Sequence, residues 1–442
     1  MKNLNKILSE INKIENNINL NDFKFYDINY WPIIRTQIIN NEFADQEAKF
    51  SDNKKYTLFF FMETISLLNV FFQKPSNIFL GYKNDVSALF KEDKINLHKQ
   101  FHSLKNSDIY RNNLLMITTG NPFSKNIYND SYDFSLLIES LSLLNKFLYK
   151  KKIKLIQKKI YQKIKSESLL QNISLEVIQK IINDIAVFYS KKKTYDLIWR
   201  ILKPKNLILK SFNNLNAFAA ICSANEKKIN TIEYQHGQQG ENSLVYSNWL
   251  NVPKNGFSLI PKLFWVWDDI FKIKFQKWMI NQNFHKVETV GFFWKEFLEK
   301  KIELNKNHDL ISDKKLILYC LQYPKIEKSV LNTMRQLNNV KWLVRLHPRT
   351  LGSIEEINNI LIKIDSLDYD LKVSNQLNFE IVLMHCDRLI TQWSTVAFES
   401  LIFGKKTIII NKNGYDAYKL FIDQRKMFFA DNEEELKELI EN

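Results

Sequence analysis

From residue 206 onward, short apolar runs alternate with segments of helical spacing. Residues 206–211 (NLILKS) read as a strand, 216–227 as a helix and 230–235 (NTIEYQ) as a strand. This is the grammar of a βαβ unit and implies a parallel sheet. The alternation returns with greater regularity further on. Strand-like runs fall at 315–320 (KLILYC), 341–346 (KWLVRL), 371–374 (LKVS), 388–392 (RLITQ) and 406–411 (KTIIIN). Helical patterns at 326–338, 353–364, 378–385 and 394–403 separate them, and EEELKELIEN closes the chain as a helix. Such repetition predicts a doubly wound, Rossmann-like sheet. Upstream, 114–120 (LLMITTG) reads as a strand and 135–149 as a helix. Residues 150–202 continue as a long Lys-rich helical pattern, and the part before about residue 112 is mostly helical with polar breaks. Runs 262–267 and 287–291 are short and strand-like. The segment 250–262, with Pro253, Gly256 and Pro261, is the best link between halves. The expectation is therefore an α/β chain of two Rossmann-like domains, 1–255 with extra N-terminal helices and 256–442. Facing each other, they would leave a central cleft lined by the carboxyl ends of their strands, where open α/β sheets bind ligands.

Composition narrows this picture. The 442 residues are too many for one small domain. Only 9 Gly and 8 Pro occur, against about 30 and 20 at average usage, so linker-rich and low-complexity classes are excluded. The net charge of +15 points to an anionic partner: nucleic acid, a membrane surface or a phosphorylated substrate. It also fits a chain that is simply rich in Lys, Asn, Ile and Phe. Cys222, Cys320 and Cys386 show no zinc spacing, and so sparse a set indicates a reducing compartment. The polar start MKNLNKILSE lacks the apolar core of a signal peptide. The most apolar stretch, 57–72, is short of a bilayer span and carries Glu63 and Asn69, so a buried helix is expected there. A cytoplasmic location follows as the expectation.

Three constellations stand at strand ends. The first is Tyr234-Gln235-His236-Gly237-Gln238-Gln239-Gly240, where a strand stops in a His bracketed by loop glycines, Gly237 and Gly240. Histidine is the side chain suited to proton transfer near neutral pH. An ordinary hydrogen-bonded loop histidine with turn glycines fits the same residues. The second is Arg345-Leu346-His347-Pro348-Arg349: two guanidiniums and an imidazole within five residues make an anion site, and Pro348 holds His347 extended. A turn with solvated arginines is the alternative. The third runs from Thr391 to Glu399, with Ser394 or Thr395 placed to cap the next helix. Free amides there favour phosphate, and Glu399 lies one turn in, where it can meet ribose hydroxyls. Taken alone, this is also a plain capped helix.

Strand–QHG–loop, then strand–RLHP, then strand–SST-like turn–helix with Glu, then a Gly-Lys strand, resembles bacterial glycosyltransferases of the GT-B fold. More narrowly it is similar to the surface-polysaccharide enzymes of the CDP-glycerol glycerophosphotransferase, polysialyltransferase and Kdo-transferase groups. The resemblance covers about 229–411, and Trp31-Pro32-Ile33-Ile34-Arg35 resembles an N-terminal element of capsule and lipopolysaccharide proteins. It implies that His347 contacts the donor's phosphate or nucleotide, with Arg345 and Arg349 beside it. It places the donor phosphate on Ser394 and Thr395 and the ribose on Glu399. His236 would be the general base on the acceptor hydroxyl, in an inverting transfer. Glycosyl transfer needs such a base and a stabilised leaving phosphate, which these cations supply without a metal or other cofactor. The implied partners are a nucleotide sugar, with a CMP- or CDP-linked donor as one form, and a glycan or lipid-linked acceptor; nucleic acid is not among them.

Other motifs weigh less. Asp368-Tyr369-Asp370, with Asp365 nearby, has the form of a metal-binding DxD but sits in a helix–strand loop and reads as a solvated turn. Asp268 and Asp269 follow a strand end without a defined role. Residues 149–165 hold eight lysines and no acid, with Tyr149, Ile153, Ile156, Ile160 and Ile164 on one helical stripe. Such a helix can lie peripherally on anionic lipid or pack with a solvated lysine face. Rival activities on the same fold are a phosphoalditol transferase and a nucleotide-sugar epimerase; a basic nucleic-acid-binding protein is a rival of another class.

Overall fold

The computed structural model describes residues 2–43, 67–83, 85, 88–90, 95–111, 113–237, 239, 244–302 and 312–442. It divides into two compact units, Met1–Trp294 and Lys295–Asn442.

The first unit carries seven parallel strands: β1 Asn77–Tyr82, β2 Leu115–Thr119, β3 Ser131–Asp133, β4 Asn206–Leu209, β5 Asn230–Tyr234, β6 Leu263–Val266 and β7 Lys286–Thr289. Their order is β7-β6-β5-β4-β1-β2-β3. The second unit carries six: β8 Lys315–Cys320, β9 Val340–Arg345, β10 Tyr369–Asp370, β11 Arg388–Thr391, β12 Lys406–Ile409 and β13 Phe428–Phe429, ordered β10-β9-β8-β11-β12-β13 and all parallel. Numbered within each unit, the second sheet runs 3-2-1-4-5-6, the doubly wound Rossmann order, and the first runs 3-2-1-4-5-6-7, the same order with one strand added at its edge. The α/β class expected from the sequence is the one observed. The chain reverses direction across the sheet between β1 and β4 in the first unit, and between β8 and β11 in the second. Ligand crevices of such sheets open at those points, at the carboxyl ends.

The strands read as near-continuous apolar runs because helices cover both faces. In β8 every residue from Leu316 to Cys320 is buried. The core of the second unit gathers Ile317, Trp342, Val344, Ile390 and Ile408 from four neighbouring strands. In the first unit the helix Leu175–Leu202 packs against the helices Ser135–Leu148, Lys150–Ser166 and Leu215–Glu226.

Four features depart from the sequence pattern. The division falls after Trp294 rather than after residue 255, because β6 and β7 hydrogen-bond onto β5 and so extend the first sheet. The strand expected at 371–374 is instead Tyr369–Asp370, and Val373–Gln376 is helical. Asp370 turns the chain there: its carboxylate accepts the Val373 amide at 3.3 Å and the Ser374 amide at 2.7 Å. The N-terminal part is not only helical, since β1 lies centrally in the first sheet, between β4 and β2. Of the apolar stretch 57–72, residues 57–66 lie outside the described residues; 67–73 are helical, with Leu67 and Val70 buried and Phe72 exposed. No helix among the described residues is long and apolar enough to cross a membrane.

Candidate functional site

In the first unit, the polar groups at the reversal point converge on His236. It follows β5, yet its imidazole hydrogen-bonds the backbone of Lys210, just past β4. Lys210 Nζ pairs at 2.7 Å with Asp85, which follows β1. Asp85 also meets His98 Nε2 at 3.2 Å. Burial would raise the Asp85 carboxyl, but His98 and Lys210 outweigh it and hold it down at about 2. Burial, helped by Lys210, pushes His236 down to about 4. Its imidazole is therefore neutral at pH 7 and carries the lone pair a base requires.

Behind His236 stands a group that the strand pattern concealed. Glu233, inside β5 and 1% exposed, accepts the Phe212 amide at 2.9 Å and Gln239 Nε2 at 2.6 Å. Burial drives its carboxyl well above the usual range, against hydrogen bonds from Tyr246, Gln239 and Phe212. Gln239 Nε2 also lies 3.4 Å from His236 Nδ1, and the Tyr246 ring stands 6.2 Å from the imidazole. The sequence signal was a lone carboxylate inside the otherwise apolar run NTIEY. Gly237 has no backbone demand for glycine: its φ is not positive and an added Cβ would meet nothing within 4 Å. Gly240 lies outside the described residues.

A cavity of about 360 Å³ opens at the ends of β1 and β2, walled among others by Tyr82, Thr119, Glu139, Asn214 and Asn216. Asn216 is fixed by Tyr195 Oη at 3.0 Å and by Thr119 Oγ1 at 3.1 Å. His236 is not part of its wall.

The N-terminal Trp31–Arg35 element is a buried clamp on the segment after this loop. Glu15 Oε1 accepts Trp31 Nε1 at 2.8 Å and Arg35 Nε at 2.9 Å. Arg35 donates onward to the carbonyls of Leu244 and Ser247 and stacks 4.0 Å over the Trp249 ring. The Leu250 amide closes the network on Glu15 Oε2 at 2.8 Å.

In the second unit, Arg345 ends β9 and donates to the carbonyls of Ser374 and, at 2.9 Å, Leu377. Its guanidinium thus braces the turn after β10. Arg345 and Glu399 both act on the Cys320 thiol at the end of β8: burial pushes that thiol up to about 12, Arg345 opposes and Glu399 reinforces it. Both charges are thus felt at the end of β8. His347 is extended, as Pro348 requires, and its Nδ1 accepts the Arg349 amide at 3.2 Å. The ring hydrogen is left on Nε2. The Arg349 side chain is solvent-exposed.

The helix after β11 spans Val396–Ile402, and neither Ser394 nor Thr395 caps it through its side chain. Their backbone carbonyls accept the Ala397 and Phe398 amides instead. Both side chains are at least partly exposed, and Gly404 ends the helix at φ +71°. This turn is set from outside. Tyr418 Oη donates to the carbonyls of Trp393 at 2.9 Å and Ser394 at 2.7 Å. Gly414 lets its helix approach so closely that an added Cβ would lie 1.8 Å from the Gln392 carbonyl oxygen. A glycine in the first turn of a helical pattern, in a glycine-poor chain, was the available signal.

Other motifs resolve into structural roles. Asp268 caps the helix Asp269–Met279, Asp269 accepts Thr289 Oγ1, and Asp368 pairs with Lys314 at 2.9 Å. Among the described residues, no group of three or more His, Cys, Asp or Glu gathers as a metal site. A cavity of about 530 Å³ lies beyond β9, walled among others by Ile354, Asn358, Leu371, Lys372 and Asn375.

Fold and strand-end residues together define an α/β protein of two doubly wound units, each with polar side chains collected at its reversal point. No protein-family model and no curated protein matches the chain. Among solved structures, it is similar to UDP-GlcNAc 2-epimerase from Neisseria meningitidis bound to UDP-GlcNAc: 13% identity, 82% of this chain and 88% of that one, TM-score 0.46. It is similar to a variant of the wall teichoic acid polymerase TagF: 12% identity, 88% and 89% coverage, TM-score 0.42. It is also similar to MurG from Acinetobacter baumannii: 9% identity, 83% and 90% coverage, TM-score 0.43.

Proposed function

We propose that this chain is a glycosyltransferase of GT-B architecture acting in surface-polysaccharide synthesis at the cytoplasmic face of a membrane. It transfers a sugar from a nucleotide-activated donor, CMP- or CDP-linked, to a glycan or lipid-linked acceptor, with inversion and without a metal. The observation that carries this reading is the placement of complementary chemistry at the two reversal points. A neutral, desolvated imidazole stands at one, and Arg345 and His347, with Glu399 on the helix after β11, stand at the other. In this reading His236 takes the proton of the acceptor hydroxyl, and Gln239, itself held by Glu233, stands 3.4 Å from the imidazole. His347 Nε2–H, Arg345 and Arg349 receive the leaving phosphate. The turn at Ser394 and Thr395 adds hydroxyl donors, and Glu399 accepts the ribose hydroxyls.

The test is turnover of a donor panel, CMP- and CDP-sugars with CDP-glycerol and CDP-ribitol, against glycan and lipid-linked acceptors. Sugar transfer supports the proposal. Transfer of glycerol- or ribitol-phosphate alone replaces it with a phosphoalditol transferase, and conversion of donor without acceptor replaces it with an epimerase. His236→Ala lowers kcat by about 10²–10⁴-fold with nucleotide affinity intact. His347→Ala weakens nucleotide binding by about tenfold or more; unchanged affinity removes its assigned role. The acid limb of kcat/KM falls near pH 4, set by His236.

A further inference from the structure

The basic helix Lys150–Ser166 does not have a free apolar face. Its stripe of Ile153, Ile156, Ile160 and Ile164 is 0–4% exposed, packed into the first unit. A lysine-rich helix with its apolar side already used cannot insert into lipid by itself. The apolar surface lies on the preceding helix, Ser135–Leu148. The N-terminal half of that helix is buried through Leu136, Leu137 and Ile138. Its C-terminal end exposes Leu143 (57%), Leu144 (52%), Phe147 (74%) and Leu148 (63%). At 100° per residue these four cover an arc of about 140°, a contiguous apolar tip rather than scattered surface residues.

Lys146 stands on the same helix end, and Lys150, Lys151, Lys154 and Lys158 follow on the next helix, all exposed. None of the five has a carboxylate partner among the described residues, whereas the neighbouring Lys163 is paired with Asp22 and Glu167. Exposed apolar side chains bordered by uncompensated cations match one partner chemistry: a bilayer surface with anionic headgroups. A nucleic acid would satisfy the lysines but not four aliphatic and aromatic side chains in solvent; a second copy of the chain would bring the same positive charge and repel.

We infer that the helix end 143–148 and the lysines that follow form a membrane-docking surface, in which Leu143, Leu144, Phe147 and Leu148 enter the acyl boundary and the lysines contact anionic headgroups. This rests on nothing assigned to His236 or to the β9 and β11 loops, so it stands or falls separately from the proposed activity. The experiment is co-sedimentation of the full chain with large vesicles, phosphatidylcholine alone or with phosphatidylglycerol at 30 mol%. Binding should require the anionic lipid and fall as salt rises. Leu144→Ser/Phe147→Ser/Leu148→Ser should weaken it by at least about tenfold. Lys150→Gln/Lys151→Gln/Lys154→Gln should weaken it by about fivefold per lysine. All substituted side chains are exposed, and unchanged circular dichroism and melting confirm the fold of each variant. No binding to anionic vesicles, or binding that the apolar triple leaves intact, overturns the inference. So does tight binding of single-stranded RNA lost only with the lysines, or a dimer in solution that the apolar triple dissociates.

Discussion

The two units use the same strand order but secure their strand-end loops by different physics. In the first, buried side chains hold one another: Glu15 with Arg35 and Trp31, Asp85 with His98 and Lys210, and Glu233 with Gln239 and Tyr246. In the second, polar side chains grip the main chain: Arg345 the carbonyls of Ser374 and Leu377, Asp370 the amides of Val373 and Ser374, and Tyr418 the carbonyls of Trp393 and Ser394. Gly414 adds direct backbone contact. A loop held by buried charge is sensitive to removal of one partner and to pH. A loop held through its carbonyls is sensitive to steric change and tolerant of pH, because carbonyls do not titrate. The first arrangement desolvates its histidine; the second partly desolvates Arg345 and leaves Arg349 in solvent.

That contrast is breakable. The largest effect should come from Arg35→Ala, which leaves Glu15 buried and unpaired. We expect a loss of about 3–5 kcal/mol, confined to the first unit, read by denaturant unfolding with limited proteolysis to resolve the units. Destabilisation spread equally over both units would contradict separate anchoring. Next, Gly414→Ala drives a Cβ into the Gln392 carbonyl and should cost the second unit about 3 kcal/mol; an unchanged unfolding midpoint would show that the turn yields. Acid comes third. Burial lowers His236 and His285 to about 4. For a base whose folded pKa is depressed, stability is complete above the unfolded value near 6.5 and is lost as pH falls toward 4. The first unit should lose about 2 kcal/mol or more over that window, measured by hydrogen exchange at several pH values. The Asp85 contribution goes lower still, between about pH 4 and 2. An equal loss in the second unit would erase the distinction. The smallest effect is Tyr418→Phe, about 1 kcal/mol, which loosens only the 393–394 turn and should raise exchange at the Ala397 amide.

Much of the fold was legible in the chain. Parallel strands buried on both faces announce themselves as unbroken apolar runs, and KLILYC, KWLVRL, RLITQ and KTIIIN all became strands. The misses have local and non-local causes. At 371–374 the apolar run was outweighed by Asp370, whose carboxylate captures two amides and turns the chain. β1 is hard to read in the chain because only the short helix Lys99–Lys105 marks its crossover to β2, and its other neighbour, β4, lies far along the sequence. The domain border was misplaced because prolines at 253 and 261 mark a loop, and a loop within a sheet looks the same as a loop between domains.

For the site, strand ends and residue types were readable: His236, Arg345 and His347 stand where a strand stops and Glu399 in the helix that follows one, and that is a one-dimensional property. Their physical state was not. Whether His236 is solvated or held near a pKa of 4 depends on Lys210 and burial contributed by other strands. Whether Arg345 is free or braces a turn depends on carbonyls some thirty residues on. The role of Trp31–Arg35 appeared only when Glu15 and the carbonyl of Leu244 closed around it. The sequence by itself determined the α/β class and the strand-end positions of the polar residues, because periodicity and apolar runs are local. The tertiary structure alone decided burial, partners and charge state, because desolvation and ion pairing are set by atoms that meet only when distant segments pack.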